Sequence, residues 1–380
     1  MMKKKAKRFA PFIWIFAYLV VIDIAINIIF SYPKDPRNIS PAPSRQFFDY
    51  GRSIEGKLSR MTGKEIDDSA PIASVGWLVG SPNRLVSKNL NSENRPVVTM
   101  YGMSHADLLA EDMAKIDNSL TIRSVGAPGA VPTWSYAAYL YDKDQYYSDV
   151  VILGIMTRGV PLICTTSGAT NHFDAVYPYT YPRFFLSNDS LKYLMPPFVS
   201  FKEYIEYIYN SEKWKAYINW LRQYDKFYNP VLFRKTILDS SSIFRLLRRA
   251  YAYSWQRKKE AEVYRDDKGF NVESDEVKIL KSLVIEFSKT AKRQNSLPII
   301  YIVNNVFMGD RLFKILEPTL LSYNIPFLST HDICPPNDPH FYLPDSHFIP
   351  SKNLELANKM IKIIRDKLPL KTLLELVLKN

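Results

Sequence analysis

Five short, predominantly apolar runs of strand character, residues 97–100, 120–125, 150–155, 298–303 and 325–328, constrain this chain more than any other feature. A strand with one wetted face alternates apolar and polar residues, whereas runs that are apolar on both faces predict strands covered on both sides. Segments with helical periodicity separate them, as the crossovers of a parallel sheet require. The expected architecture is α/β, a doubly wound three-layer sandwich around a central parallel sheet.

Between the third and fourth runs lie about 140 residues, far more than the roughly 10–12 that a crossover needs. This stretch is rich in Tyr, Trp and Lys, with helical patterns over 201–221 and 240–265, and predicts a helical insertion at about 174–290. Its aromatic residues read either as a packed helical core or as a platform on which sugars stack. A last helix is expected over 352–367, packed back on the sheet.

Residues 9–32 form a nearly continuous apolar segment interrupted by Pro11, Asp23 and Asn27, long enough at about 1.5 Å per residue to cross a ~30 Å hydrocarbon core. A cleaved signal peptide is the competing reading. Its apolar region spans only ~7–15 residues and ends in a small-x-small site, whereas this segment is longer and ends in Phe-Ser-Tyr-Pro, so a retained anchor is favoured. The cluster Lys3, Lys4, Lys5, Lys7 and Arg8 predicts a cytoplasmic amino terminus and an extracytoplasmic, periplasmic remainder. Asp23 costs roughly 2.5–3.5 kcal/mol on insertion scales, which calls for a partner helix, as from a multi-span membrane protein, or for a water-filled cavity. A single tolerated polar residue is the alternative. The expected organisation is a basic tail at 1–8, an anchor at 9–32, a linker and surface helix at 33–60, and an α/β domain at 61–370.

The formal net charge is +12, and those five basic residues supply five of the charges before any folded part begins. The remaining excess reads as a solvated surface or as attraction to an anionic glycan or lipid headgroups. Nucleic acid is excluded as a partner, because there is no Cys/His finger, basic-region heptad or aromatic RNA-binding signature. The two cysteines, Cys164 and Cys334, either pair or stay buried and free. No metal-ligand spacing involves them, and no cofactor or metal is implied.

The chemistry-bearing residues sit near the ends of the domain. The run starting at Val97 breaks at Gly102 and delivers Ser104 into a turn before the helical pattern 107–116, a way for an α/β sheet to present a nucleophile at the carboxyl end of a strand. Asp345 and His347 would supply the base and its orienter. The competing reading of this pair is a surface loop that caps the following helix. His331-Asp332 ranks second as a base pair, while His172 and His340 have no ligand partner at useful spacing.

In their order these blocks resemble the SGNH/GDSL superfamily of serine esterases and acyltransferases. Gly102-Met103-Ser104 is similar to the family's Gly-Asp-Ser, with Met in the middle and His105 as a neighbour. Ser124-Val125-Gly126-Ala127-Pro128-Gly129 is similar to the second block, which implies Gly129, or alternatively Gly126, as an oxyanion donor. Gly154-Ile155-Met156-Thr157 keeps the third block's glycine and lacks its Asn, and Thr157, Arg158 and the more distant Asn171 are the polar residues that would stand in. Asp345-Ser346-His347-Phe348 looks like the Asp-x-His-aromatic motif of bacterial polysaccharide O-acetyltransferases in the same superfamily. The resemblance implies a membrane-anchored serine hydrolase or O-acyltransferase, with Ser104 as nucleophile, His347 as general base and acid, and Asp345 as orienter. Its partner would be an acylated glycan of the envelope or of an export route, or another ester. The missing Asn equally suits a catalytically silent domain that binds polysaccharide or scaffolds an export complex.

Overall fold

The computed structural model describes residues 2–38, 41–63, 66–80, 95–265 and 269–368, with residues 2–10 as backbone only. The side chains of the amino-terminal basic cluster and the expected domain end at 370 lie outside the described residues.

In chain order the strands are β1 (Val97–Gly102), β2 (Thr121–Gly126), β3 (Val150–Met156), β4 (Arg183–Ser187), β5 (Ser190–Leu194), β6 (Leu297–Val303) and β7 (Phe327–Ser329). The helices are α1 (Met2–Ile29), α2 (Pro43–Asp49), α3 (Ile54–Met61), α4 (Ser104–Ile116), α5 (Pro132–Asp142), α6 (Gly168–Asn171), α7 (Phe201–Ile208), α8 (Ser211–Tyr224), α9 (Pro230–Phe233), α10 (Ser242–Ala261), α11 (Asp275–Arg293), α12 (Arg311–Ser322) and α13 (Pro350–Lys367). Five strands form one parallel sheet in the order β2-β1-β3-β6-β7, flanked by helices. Each of the five runs expected from the sequence supplies one of them.

The polar residues inside these strands are satisfied locally, which is what lets them lie in a buried sheet. Thr99 shares a hydrogen bond with Ser148 at 2.7 Å, and Arg123 donates two bonds of 3.0 Å to the Asp142 carboxylate at the end of α5. The strand order runs outward from β1 in both directions, since the chain passes from β1 to β2 on one side and then to β3 on the other. Such a reversal opens a crevice at the carboxyl ends of the strands.

Two glycines decide how closely α4 sits over that crevice. Gly102 closes β1, and Gly154 lies beside it in β3. A Cβ at Gly102 would stand 2.7 Å from the Ala106 Cβ, and one at Gly154 would stand 3.3 Å from it. Ala106 is fully buried, so the first turn of α4 rests directly on the backbone of two strands.

The structure revises several sequence expectations. The insertion is not purely helical, because β4 and β5 form an antiparallel hairpin. Asn188 and Asp189, both at positive φ, make its two-residue turn. The single helical pattern over 201–221 is two helices, broken where Asn210 caps α8 by accepting from the Glu212 and Lys213 amides. Residues 45–60 are not one surface helix; α2 and α3 are separate, and Ile54, Leu58 and Met61 of α3 face the core at i, i+4 and i+7. The aromatic side chains of the insertion form a packed interior, with Phe198 ringed by Trp77, Tyr204 and Tyr217. Cys164 and Cys334 are both buried and free.

Within α1, Pro11–Ile29 is long and apolar enough to cross a membrane, with a mean hydropathy of 2.4 and none of it buried by the rest of the protein. Asp23 has donors within the chain, accepting from the Ser242 hydroxyl and from the Ile243 amide at 3.0 Å.

A Gly102→Ala substitution forces its methyl into Ala106, and unfolding of the full chain in detergent by urea should show a loss of about 1–3 kcal/mol. Unchanged stability would mean that α4 does not bear on the sheet at this point.

Candidate active site

Ser104 is the first residue of α4, directly after the end of β1, and it is exposed. The first amides of a helix have no carbonyl partner within it. Neither the Ser104 amide nor the Gly129 amide makes a hydrogen bond among the described residues.

The second half of the site is a tight turn before α13. Tyr342 and Phe348 pair across it, the Leu343 amide donates to the His347 carbonyl at 2.7 Å, and the Ser346 amide donates to the Leu343 carbonyl at 2.8 Å. The turn closes through Ser346 in the left-handed region at φ 71°. Phe348, 1% exposed, anchors it from below, with its ring 5.2 Å from both His105 and Tyr342. Pro350 then starts α13 with the fixed φ that suits a first helical position.

This turn carries the imidazole to the serine. His347 Nε2 lies 2.7 Å from Ser104 Oγ, and His347 Nδ1 lies 3.0 Å from the Asp345 carboxylate. Asp345 also accepts from the His347 amide at 3.1 Å. These bonds, the side-chain one first, hold the Asp345 pKa below the usual carboxylate value even though the group is largely exposed. With Nδ1–H donated to Asp345, Nε2 is the acceptor that faces the hydroxyl. The sequence-derived Ser104, His347 and Asp345 are therefore in contact although Ser104 and His347 lie 243 positions apart.

The two glycines named from the second block play different parts. Gly126 ends β2, and a Cβ there would fall 2.4 Å from the Asp107 carboxylate oxygens, so its place is taken up by packing against α4. Gly129 lies in the loop beyond, at φ 64°, with His172 beside it. Tyr179 donates to the Pro128 carbonyl at 2.6 Å and holds that loop. Of the three residues considered in place of the absent Asn, Thr157 donates to the Val303 carbonyl and Asn171 Oδ1 accepts from Thr165 and Tyr181. Arg158 alone of the three is exposed, close enough to act electrostatically on His105, and its amide donates to Asn305 Oδ1 at 3.0 Å. His331 is engaged elsewhere, bonded to Ser329 and stacked on Phe313, and His340 pairs with Asp338.

No family model matches this chain, and no curated protein matches it either. The arrangement itself remains the guide. An imidazole bonded to a hydroxyl on one side and to a carboxylate on the other can take the hydroxyl proton and hold the resulting positive charge. No group of three or more His, Cys, Asp or Glu placed to hold a metal occurs among the described residues.

Sequence reasoning left His105 without a task, and Asn305 and Ser346 unremarked. His105 is buried against the turn that carries His347, its Nε2 3.2 Å from the Ser346 carbonyl and its ring 4.7 Å from that of His347. Burial first, and the neighbouring His347 second, pull its pKa down to about 4. A neutral His105 donates from Nε2 to Ser346 and thereby fixes the turn. The signal in the sequence was a second histidine next to the serine, which only the returning turn makes useful.

Above pH 6.5, the ordinary histidine value, folded and unfolded chains both leave His105 neutral and its contribution to stability is complete. As pH falls toward about 4, the unfolded chain takes up a proton that the folded one refuses, so stability is lost across that window. Wild type should therefore lose about 2 kcal/mol more than His105→Gln between about pH 7 and about pH 5, read by urea unfolding. Equal losses would remove His105 from the account of the turn.

Proposed function

We propose that this chain is a membrane-anchored serine hydrolase or O-acyltransferase of the SGNH/GDSL type, on a doubly wound sandwich, acting on ester or acyl groups of an envelope or exported glycan. The continuous hydrogen-bonded path from Ser104 Oγ through the His347 ring to Asp345 carries this reading. A serine already bonded to a histidine with its own orienter is the general signature of an activated nucleophile.

In the reaction, His347 Nε2 takes the Ser104 proton as Oγ attacks the acyl carbonyl carbon. The oxyanion forms against the Ser104 and Gly129 amides, where one such donor contributes ~2.7–4 kcal/mol. Collapse breaks the bond to the leaving alkoxide, which recovers the proton from His347. Water or a sugar hydroxyl then repeats the sequence on the acyl-serine, giving hydrolysis or transfer. Arg158 supplies positive charge at the edge where the family's Asn is absent. The span Pro11–Ile29 and the basic residues before it support an extracytoplasmic domain on a single anchor.

The absent Asn and the 65% exposure of the Asp345 side chain favour a second reading, a silent domain that binds polysaccharide. Intact-mass analysis of the full chain after exposure to a fluorophosphonate probe separates the two. One adduct is expected on wild type and none on Ser104→Ala. His347→Ala should label about 10²–10⁴-fold more slowly, and Asp345→Asn should be slowed less because its carboxylate is solvated. A folded wild type that takes up no probe would reject the enzymatic reading in favour of the silent one.

A further inference from the structure

The end of α1 and the adjoining part of the domain border an open cavity of about 470 Å³ that shares no lining residue with the Ser104–His347 site. Lys34, Arg52, Arg60, Lys235 and Arg245 line it, with Asp49 as the single carboxylate among the lining residues. Asp49 accepts from Arg52 at 2.8 Å and from Arg60, and Arg245 stands 3.8 Å from it. Asp239 acts on Arg52, and Asp23 and Asp239 act on Arg245, from outside the lining, yet inside it three guanidinium groups face the one Asp49 carboxylate, and Lys34 and Lys235 add charge without an ion pair among the described residues. Among the described residues the Nε atoms of Arg60 and Arg245 are buried with no hydrogen-bond partner. Arg245 is 5% exposed. A buried guanidinium normally finds acceptors for its donors, so this cluster is short of an anion.

The depth of the cavity says which anion. Asn27, Phe30, Tyr32 and Pro33 form one wall, so the cavity begins where the apolar span Pro11–Ile29 ends. Asp23 and Asn27 are bonded to Ser242, Ile243 and Arg245, which fixes the start of α10 alongside the last turns of that span. The neighbouring segment exposes Ile237 at 88% and Leu247 at 63%. Exposed apolar side chains beside unpaired cations are the pattern of a surface that meets hydrocarbon and headgroups together.

We propose that this cavity binds the phosphate headgroup of an anionic membrane lipid and so holds the domain against the bilayer. The proposal rests on α1 spanning the membrane and is independent of the chemistry at Ser104. Planar guanidinium groups bind phosphate oxygens in pairs, and a lipid phosphate at this level supplies the missing acceptors without leaving its own leaflet.

The test is native mass spectrometry of the full chain released from detergent, titrated with dioleoylphosphatidylglycerol or dioleoylphosphatidylcholine, alongside carbonate extraction of membranes that contain it. Preferential retention of phosphatidylglycerol is expected, falling about fivefold for each of Lys34→Gln and Lys235→Gln. Because these two side chains bear no ion pair among the described residues, the variants should melt like wild type, whereas Arg245→Met, which should abolish retention, also disturbs packing. Equal retention of the two lipids, or lysine variants that behave as wild type, would overturn the headgroup site. Full displacement by millimolar inorganic phosphate would assign the cavity to free phosphate instead and overturn the lipid as its source. Release of the chain by carbonate would defeat the spanning reading itself, and the proposal with it; a chain that stays in the membrane yet shows no lipid preference defeats the proposal alone.

Discussion

The contact of Ala106 with the backbone of two adjacent strands is the constraint on which the candidate site depends. Helices pack on sheets at distances set by their side chains, and here Gly102 and Gly154 remove the side chains where α4 begins. Ser104, two residues before Ala106, is thereby held low over the end of β1 with its amide turned out of the helix. A larger residue at either glycine would lift the helix and with it the serine. The same closeness explains Gly126, whose missing side chain leaves room for the Asp107 carboxylate.

Against this fixed serine, the histidine is brought by a turn that is stabilised from several sides. Phe348 roots it in the core, Ser346 gives it the left-handed step it needs, and His105 bonds the Ser346 carbonyl from the α4 side. α13 then packs along α4, and Arg365 pairs with Asp117 at 2.7 Å beyond the end of α4. The helix that presents Ser104 and the helix that follows His347 are thus one packed unit, so their relative position does not rely on the long insertion between β3 and β6.

The insertion reaches from the loop of Pro128 and Gly129, which Tyr179 holds, to the end of α1. Its aromatic residues join the same core as the sheet, and α10 reaches from there to the last turns of α1. Phe30 lies 4.8 Å from Phe48, and Arg60 sits 3.3 Å over the Tyr32 ring, so the connection between helix and domain is packed rather than slack. Asp23 and Asn27, which look like defects in an apolar helix, are the polar points through which α1 and α10 are joined. A charge that is costly in hydrocarbon becomes tolerable once hydrogen-bond donors of the same chain reach it.

The sequence by itself determined the parallel sheet, because runs apolar on both faces have no other stable place than between two layers of helices. It also determined the apolar span and singled out Ser104, Asp345 and His347, by the order of their blocks along the chain, as residues that the fold then brings into contact. It did not determine the β4–β5 hairpin, whose Asn188-Asp189 turn lies in a stretch dominated by helical periodicity. Nor did it determine the partner of Asp23, the unpaired state of Cys164 and Cys334, or the support that His105 gives to Ser346. These depend on which distant segments meet, and only the tertiary structure, through close approach at glycines and the burial of unpaired polar groups, decided them.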